Sequence, residues 1–596
     1  MKANRIAILC VLLASVCFGE AHWVWFVDKG VKSGSPAESA ALTRAQNKLS
    51  ARCIERRAKV REFNNIVDYG DIDVYGEYLD AISSSGAEIR VVSRWLNAAS
   101  IDAPADVLSR IADYRFVDRI TPVNVRRETE PPVTTRTFES EAHYGNSYAQ
   151  NKNVNTIPVH RLGYDGSGVL ICITDTGFKL DHEAMASTDI IAKYDFIGGD
   201  TIVSLEPGDA PASETHGTKT WSIMAGYDES NLIGIAHAAS FMLARTEDYD
   251  MEDPIEEDFW IAAAEWADSA GTDIITLSLG YYEWYTPDSM TGDIAPISIA
   301  ADRMASLGIV ITSAAGNNGP GSSTITAPGD ADSIITVGAV NAYGTVASFS
   351  SRGPTADSRI KPEIVALGTG VWCATSSGVS TYGYGNGTSV ATPIVAGISA
   401  LLLQARPYLG PMDVREAFMN TASRRTAPNN DVGWGVPNLF AALSYPIAGR
   451  AALPLFAGWN LVSIPVDEAL PVDSVFADRV GDVWHWNPDS SEYESITMLQ
   501  PGKGYFVLYD RDTLVSFAGD PLVTYSHDVT TGWHAVGGIR GIVGTSAIGA
   551  ISTADIETFI YRWDPLKQEY SSVTDISPGA GAFILVTSAG ELNLME

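Results

Sequence analysis

Short apolar runs alternate with amphipathic segments through the middle of the chain. Because the runs are apolar at consecutive positions, both faces of each strand must be covered, which is typical of a parallel sheet with helices on both sides. We therefore predict an α/β domain over residues 140–445. The predicted strands are 169–173, 241–244, 274–279, 309–314 and 334–340, and the predicted helices lie near 216–225, 258–269, 294–306 and 389–404.

The most apolar helical stretch of this domain, 390–405, invites comparison with a membrane span. It is shorter than a bilayer requires, and it contains Thr392, Pro393 and Ser399. We therefore expect it to be a helix buried within the protein.

Residues 22–130 follow a different pattern and predict a small α+β unit of the order β-α-β-α-β. The segment after it, 126–136, is rich in Arg, Glu, Thr and Pro, which is typical of an exposed, cleavable linker. The predicted elements of the unit are a strand at 23–27, a helix at 37–63, a strand at 87–95, a helix near 105–113 and a strand at 115–123.

The region 450–596 is β-like and repeats itself, so that Trp486-Asn487-Pro488 recurs as Trp563-Asp564-Pro565. We predict an all-β C-terminal domain of two homologous units, about 455–525 and 530–596. Trp486 and Trp563 are interpreted as core aromatics of these units. Contact with a polysaccharide or a cell surface is the alternative, and both interpretations stay open.

The N-terminal segment 1–21 has the pattern of a secretory signal peptide. Lys2 and Arg5 precede an apolar run at 6–18, and the small residues Gly19 and Ala21 follow it. An uncleaved N-terminal anchor is the alternative. We expect export to the extracellular space or the cell surface, with no membrane span after signal removal.

Charge and composition narrow the class of protein. The 596 residues are enough for several domains, and 45% hydrophobic residues with 19% charged residues exclude a disordered chain. Residues 21–130 hold 16 basic and 16 acidic side chains, whereas residues 131–596 carry a net charge of −33. Such an acidic body repels phosphate backbones, so nucleic acid is excluded as a partner.

The five cysteines do not form a disulfide framework. Beyond the signal and the N-terminal unit only Cys172 and Cys373 remain, so one bridge at most could form in the rest of the chain. A large domain has no need of one, and we expect two buried free thiols.

Three polar residues stand where a parallel sheet places its chemistry. Asp175 follows the strand 169–173, and His216 and Ser389 each open a predicted helix. A serine hydroxyl needs a base to become a nucleophile, and a neutral imidazole needs a carboxylate to fix its tautomer and stabilise its cation. The set therefore predicts nucleophilic catalysis by Ser389.

A fourth segment predicts a site for a developing oxyanion. Gly316 lets the backbone approach a substrate, and the amide of Asn317 can donate a hydrogen bond. Ser389 adds the unsatisfied N–H groups and dipole of a helix start.

The motifs D-T-G at 175–177, H-G-T at 216–218, A-A-G-N at 314–317 and G-T-S-x-A-x-P at 387–393 stand in the order Asp, His, Ser. In this order they resemble the subtilisin-like serine proteases, or subtilases, peptidase family S8. The resemblance covers about residues 140–445 and implies a subtilisin-like parallel sheet with helices on both faces. Two departures are Lys219, where many members have histidine, and Val390, where methionine is usual.

The resemblance implies a role for each site residue. Asp175 would orient the base, His216 would be the general base and Ser389 the nucleophile, with Asn317 and the Ser389 backbone N–H as the oxyanion hole. The implied substrate-binding residues are Ser278, Leu279, Gly280, Ala315 and Gly316. No carboxylate stands in 278–280, 314–317 or 326–329, so the primary pocket is expected to accept apolar or aromatic side chains.

The implied protein is a secreted serine endopeptidase that hydrolyses proteins or peptides through an acyl-enzyme on Ser389. Residues 22–130 would be a prosegment, an intramolecular inhibitor removed by self-cleavage between about 126 and 146. The chemistry needs no cofactor. Structural calcium is compatible with the family, but the metal ligands are unassigned because the family's calcium loops are not recognisable here. An adhesive protein with an inactive protease-like domain is the rival interpretation.

Two further features, an acidic run and a pair of histidines, can each be interpreted as structural or as functional. The run 247–258 holds eight carboxylates and no basic residue. It is interpreted as a solvated face, with a cation site or an acidic rim on the substrate cleft as the alternative. His182 and His237 are expected to be structural histidines.

Overall fold

The computed structural model describes residues 20–62, 65–122, 142–249, 254–282 and 284–595. Almost all of the predicted signal peptide, the linker 126–136 and most of the predicted cleavage region lie outside the described residues.

The N-terminal unit is a four-stranded antiparallel sheet with the strand order β2-β3-β1-β4, accompanied by four helices. Its elements are β1 (Glu20–Phe26), α1 (Pro36–Asn47), α2 (Ala51–Arg57), α3 (Gly76–Ser84), β2 (Glu88–Ser93), β3 (Ala98–Ala103), α4 (Ala105–Ala112) and β4 (Val117–Pro122).

This unit differs from the predicted β-α-β-α-β order in three places, and the first is α3, a helix that the prediction missed. The single helix predicted at 37–63 is wrong, because the Ser50 hydroxyl accepts a hydrogen bond from the Cys53 N–H at 3.1 Å and starts a second helix. The prediction also missed β3, which is rich in Ala and Ser and lacks the usual β-branched signal. Ala98 is fully buried in an apolar cluster that also contains Trp260 of the next domain, where a small residue allows close packing.

The central domain contains a seven-stranded parallel sheet in the order β13-β12-β11-β10-β5-β9-β6, which confirms the α/β prediction. Its helices are α5 (Tyr148–Asn153), α6 (Ile157–Arg161), α7 (Thr215–Ala225), α8 (Ile255–Ala270), α9 (Pro296–Ser306), α10 (Thr388–Ala405), α11 (Pro411–Thr421) and α12 (Leu439–Ser444). Its strands are β5 (Leu170–Asp175), β6 (Asp189–Asp195), β7 (Tyr227–Asp228), β8 (Leu232–Ile233), β9 (Ser240–Arg245), β10 (Ile274–Leu277), β11 (Val310–Ala314), β12 (Ile335–Val340), β13 (Ile364–Leu367), β14 (Thr369–Ala374) and β15 (Tyr382–Asn386).

The prediction missed the two edge strands, β6 and β13. An edge strand has a neighbour on one side only, and β6 accordingly carries charged residues that hide its apolar signal. β13 has only four residues, which is too short for a clear pattern.

Two helical layers cover the sheet. Helices α7 and α10 pack on one face, and α8 and α9 pack on the other. Within the described residues α10 is the one helix long and apolar enough to cross a bilayer, and 89% of it is buried. The expectation of a buried helix is confirmed.

The C-terminal region consists of two antiparallel units with matching strand orders, β17-β22-β19-β20 and β25-β31-β28-β29. Each has its own apolar core. The first contains β16 (Arg450–Leu455), β17 (Gly458–Val462), β18 (Leu470–Pro471), α13 (Val472–Val475), β19 (Val483–Asn487), β20 (Glu492–Ile496), β21 (Met498–Leu499), β22 (Tyr505–Tyr509) and β23 (Thr513–Ala518). The second contains β24 (Thr524–Val529), β25 (Gly532–Gly537), β26 (Val543–Gly544), α14 (Thr545–Ile551), β27 (Asp555–Ile556), β28 (Ile560–Asp564), β29 (Glu569–Val573), β30 (Asp575–Ile576), β31 (Gly581–Ser588) and β32 (Gly590–Met595).

The thiols behave as expected. Among the described residues, Cys172 and Cys373 are buried thiols that form no disulfide, and the same holds for Cys53 in the N-terminal unit. Burial raises the pKa of the Cys53 thiol to about 11, and Asp268 adds to that effect.

Candidate active site

Asp175 and His216 meet where strand β5 ends and helix α7 begins. The His216 Nδ1 lies 2.7 Å from the Asp175 Oδ1. The carboxylate is fully buried and also accepts hydrogen bonds from the Thr176 N–H at 2.8 Å and the Thr220 hydroxyl at 2.9 Å. An imidazole that donates from Nδ1 keeps the lone pair of Nε2 for accepting a proton.

Gly217 makes this approach sterically feasible. A Cβ at this position would collide with the carbonyl oxygen of Gly177 and would lie 3.1 Å from the Cβ of Asp175. Because glycine has no side chain, the first turn of α7 can lie directly against the turn that follows β5.

Ser389 is the second residue of α10, which packs against α7. The chain enters the helix through Gly387, whose φ of +138° is a conformation that other residues rarely adopt. A Cβ there would also lie 2.7 Å from the Ser389 Oγ. Glycine thus leaves space beside the hydroxyl, at a helix start whose dipole favours negative charge.

Asn317 points its amide nitrogen toward this space. Its Oδ1 accepts hydrogen bonds from the Thr388 N–H at 3.0 Å and the Thr388 hydroxyl at 3.2 Å, which fixes the side chain's orientation. The Asn317 Nδ2 lies 3.8 Å from the position that a Cβ would take at Gly387. An N–H donor and a hydroxyl therefore face the same small volume, an arrangement suited to an anionic intermediate.

The segments expected to wall the primary pocket lie together. Strand β10 ends at Leu277, so Ser278, Leu279 and Gly280 lie just beyond it. Tyr281 and Ala327 exchange two backbone hydrogen bonds of 2.8 Å. Ala315 and Gly316 contact the same neighbouring segment: the Ala315 carbonyl accepts from the Thr326 N–H at 3.1 Å, and a Cβ at Gly316 would lie 2.6 Å from the Thr326 Cγ2.

The interpretation of the acidic run as a solvated face is wrong for four of its five described carboxylates, and the fifth, Asp248, is half-buried. Glu247, Glu256, Glu257 and Asp258 are all buried. Glu247 accepts from the Tyr281 hydroxyl, and Glu257 accepts from the Trp284 Nε1 at 2.7 Å. Glu247 and Glu257 are thus stabilised by neutral donors, and Glu257 also lies in the first turn of α8, where the helix dipole favours negative charge. The members at 250, 252 and 253 lie outside the described residues.

Burial changes the pKa of one of these carboxyl groups. Desolvation raises the pKa of Glu257 to about 7, although the Trp284 and Tyr285 donors oppose the shift. The group therefore changes its charge near neutral pH.

Helix α8 presents three carboxylates to the N-terminal unit. Asp258 pairs with Arg90 at 3.0 Å, and Glu265 accepts from the Ser93 hydroxyl at 2.8 Å. Asp268 is fully buried between Arg56 and Arg57. Although burial opposes ionisation, the two guanidinium groups hold the pKa of Asp268 below its ordinary value.

Three residues outside the predicted set organise the site. Thr220 binds Asp175, Thr388 orients Asn317, and the Ser351 N–H donates to the Gly316 carbonyl at 2.9 Å. Thr220 stands four positions after His216, so helical periodicity alone indicates that it shares the face of α7 that carries His216. No local pattern distinguishes Ser351, because its contact spans distant segments.

The remaining candidates have structural surroundings. His182 is buried, and its ring contacts the Thr381 carbonyl at 2.9 Å and the Ala184 N–H at 3.2 Å. The His237 ring contacts the Gly234 carbonyl at 3.2 Å. The structural expectation for these histidines is confirmed. Val390 is the third residue of α10 and belongs to the apolar core.

One carboxylate cluster has the oxygen ligands that calcium prefers. Ligand atoms of Asp195, Asp200 and Glu206 lie within 4.8 Å of one another. Arg245 lies 3.3 Å from Asp195 and compensates part of its charge, and two backbone N–H groups occupy the other Asp195 oxygen. The cluster is therefore already stabilised by protein groups, and we assign no metal to it.

The chain is similar to known serine proteases. Residues 166–435 match the model of the subtilase family, and residues 21–136 match that of the peptidase S8 propeptide domain of Bacteroidota. Subtilisin E of Bacillus subtilis (strain 168) is 30% identical over 352 residues, which cover 58% of this chain and 80% of that protein. Serine protease AprX of the same strain is 32% identical over 333 residues, which cover 50% and 69%.

Among solved structures, a protease from Pseudoalteromonas arctica PAMC 21717 aligns with a TM-score of 0.42 and 23% identity, covering 51% of this chain and 98% of that one. The range matched by the first family model contains Asp175, His216, Asn317 and Ser389.

Proposed function

The chain belongs to the subtilase family of serine peptidases, and on that premise we propose that it is a secreted endopeptidase that cleaves proteins through an acyl-enzyme on Ser389. The observation that carries the proposal is the 2.7 Å contact between His216 and Asp175, together with the packing of α10, whose second residue is Ser389, against the helix that carries His216.

In the proposed first step, His216 removes the proton from the Ser389 hydroxyl as its oxygen attacks the substrate carbonyl carbon. Asp175 stabilises the resulting imidazolium and is itself held by the Thr176 N–H and the Thr220 hydroxyl. The carbonyl oxygen becomes an oxyanion that accepts hydrogen bonds from the Asn317 Nδ2 and the Ser389 N–H.

Collapse of this intermediate breaks the C–N bond, and His216 delivers its proton to the leaving amine. Water, deprotonated by His216, then attacks the acyl group, and Ser389 recovers its proton when the acid leaves. Every proton and electron pair is supplied by the protein, the substrate and water, so the reaction needs no cofactor.

The substrate backbone is proposed to lie along Ser278, Leu279 and Gly280, beside Ala315 and Gly316. Hydrogen bonds to this segment would hold an extended peptide independently of its sequence. The wall segments 278–280, 314–317 and 326–329 are described and contain no carboxylate, which supports selection of an apolar or aromatic residue before the cut.

The prosegment is proposed to inhibit the enzyme until it is cleaved. The S8 propeptide match over residues 21–136 supports this role. So do the contacts on α8, where Asp258, Glu265 and Asp268 are all bonded to residues of the N-terminal unit. We propose that the cut falls between about 126 and 146 and is made by the enzyme itself.

The C-terminal repeats have no part in this chemistry, and we assign them attachment to a cell surface. Their exposed aromatic rings, among them Trp459, Trp533 and Tyr570, support a contact outside the catalytic domain. In the rival interpretation, an adhesive protein with an inactive protease domain, this contact would be the only function.

A fluorophosphonate probe tests the activity, because it forms a covalent bond only with an activated serine. Mature protein is expected to be labelled once, and Ser389→Ala protein is expected to remain unlabelled. Labelling of neither protein, with both of them folded, would favour the rival. Equal labelling of both would place the nucleophile at another residue.

A further inference from the structure

The two C-terminal repeats together form two aromatic cups on their surface. The first cup is lined by Trp459, Trp484, Tyr493 and Phe506 of the first repeat and by Trp563 of the second. The second cup is lined by Trp533, Tyr561, Tyr570 and Phe583 of the second repeat and by Trp486 and Tyr493 of the first. Each has a volume of about 460 Å³.

The cups are related by the sequence repeat, and each is completed by a tryptophan of the other unit. The Trp563 Nε1 donates to the Trp459 carbonyl at 2.7 Å, and the Trp486 Nε1 donates to the Trp533 carbonyl at 2.9 Å. Both indoles therefore have their only polar group occupied. They present apolar ring surface to the cups, and neither unit could form its cup alone.

The rings stand at steep angles to one another. In the first cup Phe506 makes angles of 88° with Trp459 and 81° with Trp563. In the second, Phe583 makes angles of 76° with both Trp486 and Tyr570. A flat sugar ring stacks on a planar platform, whereas walls at right angles surround a compact, rounded group on several sides.

The electrostatic potential of the cups and of their surroundings favours a compact group that is positively charged. An aromatic face carries negative electrostatic potential and attracts a cation within about 6 Å of the ring centroid. Among the described residues, no Lys or Arg lines either cup. Residues 450–596 contain 19 acidic and seven basic side chains, so the surrounding field also attracts cations.

A primary ammonium would lose hydrogen bonds to water in a site that offers few polar partners. An alkylated ammonium loses far less, because its methyl groups already replace the N–H donors. We propose that the two cups bind trimethylammonium groups of the choline type. Two sites on one domain would hold a surface that displays many such groups more tightly than either cup could alone.

The test uses full-length Ser389→Ala protein, in which the proposed self-digestion is absent. Choline and 3,3-dimethyl-1-butanol, a neutral molecule of the same shape, are titrated into the protein separately. Tryptophan fluorescence and calorimetry report the binding of each compound. We expect choline to bind at two sites at least tenfold more tightly than the neutral molecule. Equal binding of both compounds would overturn the proposal, because the cups would then be merely apolar. Absence of choline binding would overturn it as well.

Substitutions assign the binding to the cups. Trp459→Ala and Trp533→Ala are each expected to remove one of the two sites. Both variants should still fold, since both side chains are more than a third exposed and the backbone carbonyls that accept hydrogen bonds from the opposite indoles are retained. Tyr343→Ala, which removes an 81% exposed ring from the catalytic domain, is the matched control and is expected to change nothing. Choline binding that survives the double Trp459→Ala, Trp533→Ala change would overturn the assignment.

Other ligand classes are distinguished in the same assay. Cello- and chito-oligosaccharides represent the polysaccharide that the sequence left open, and their binding in preference to choline would overturn the proposal. Phosphatidylcholine vesicles present the same cation beside a phosphate. We expect choline coupled to a polymer to retain the protein. The vesicles should bind the protein more weakly, because the acidic domain repels their phosphate groups.

Discussion

Replacing Arg56 by alanine is the sharpest test of how the prosegment is held. Arg56 belongs to the N-terminal unit and is buried, but most of its partners belong to the catalytic domain. Its guanidinium pairs with the Asp268 carboxylate, donates to the Thr272 carbonyl at 2.7 Å and donates to the Leu307 carbonyl at 3.2 Å. Arg56→Ala removes these bonds and leaves most of the other prosegment contacts in place.

The expected loss follows from burial. Asp268 and Arg56 are both almost inaccessible to water, and breaking one side of such a pair costs about 3–5 kcal/mol because an incompletely compensated charge stays buried. Arg57 remains beside Asp268 at 2.6 Å, which favours the lower end of this range. At about 1.4 kcal/mol per tenfold change, affinity should fall roughly 150-fold to 5,000-fold.

The assay is inhibition of the mature enzyme by added prosegment, either unaltered or carrying Arg56→Ala. Arg110→Ala is the matched control, because Arg110 is exposed and its partners among the described residues, Asp106 and the Ser85 carbonyl, both belong to the prosegment. Its effect should stay below about fivefold. A change of less than tenfold for Arg56→Ala, or an equal change for the control, would show that the buried pairs do not hold the prosegment.

Four further outcomes are expected. Ser389→Ala should lower kcat/KM by roughly 10⁴-fold or more, and precursor carrying it should not mature alone; residual activity within tenfold of the parent would contradict the assignment. Asn317→Ala should lower kcat about 10²- to 10³-fold with little change in KM, as the loss of one oxyanion-hole donor does in a subtilisin; an effect confined to KM would contradict the oxyanion role. A peptide library should show apolar or aromatic residues immediately before the cut, and strict selection of Arg or Lys would refute this. Because the pKa of Glu257 is raised to about 7, its protonated carboxyl group stabilises the folded state below pH 4.5. This contribution to the free energy of unfolding, about 3 kcal/mol at most, is lost as the pH rises through 7. Glu257→Gln in Ser389→Ala protein should remove that pH dependence from urea unfolding, whereas equal slopes between pH 5 and pH 8 would exclude it.

Local patterns in the sequence were sufficient to predict the five inner strands of the central sheet and to propose the main residues of the candidate site. Five buried parallel strands were predicted because each is a continuous apolar run, and Asp175, His216 and Ser389 were found because each stands at a strand end or helix start. Such features depend on residues within a few positions of one another, so they are visible without a structure.

Contacts between distant segments were decided only by the tertiary structure. The carboxylates of the acidic run have the sequence of a solvated face, yet Glu257 is buried because Trp284 and Tyr285, which belong to a later loop, donate to it. Asp268 is balanced by Arg56 and Arg57, which belong to a different domain of the chain.

The C-terminal repeats show the same division between sequence and structure. The recurrence of Trp486-Asn487-Pro488 as Trp563-Asp564-Pro565 predicted two similar units, because a repeat is a property of the sequence itself. It could not indicate that Trp563 completes the first cup and Trp486 the second, since that depends on how two separately formed sheets pack against each other. Side chains that meet across such an interface share no periodicity, and only the packed structure brings them together.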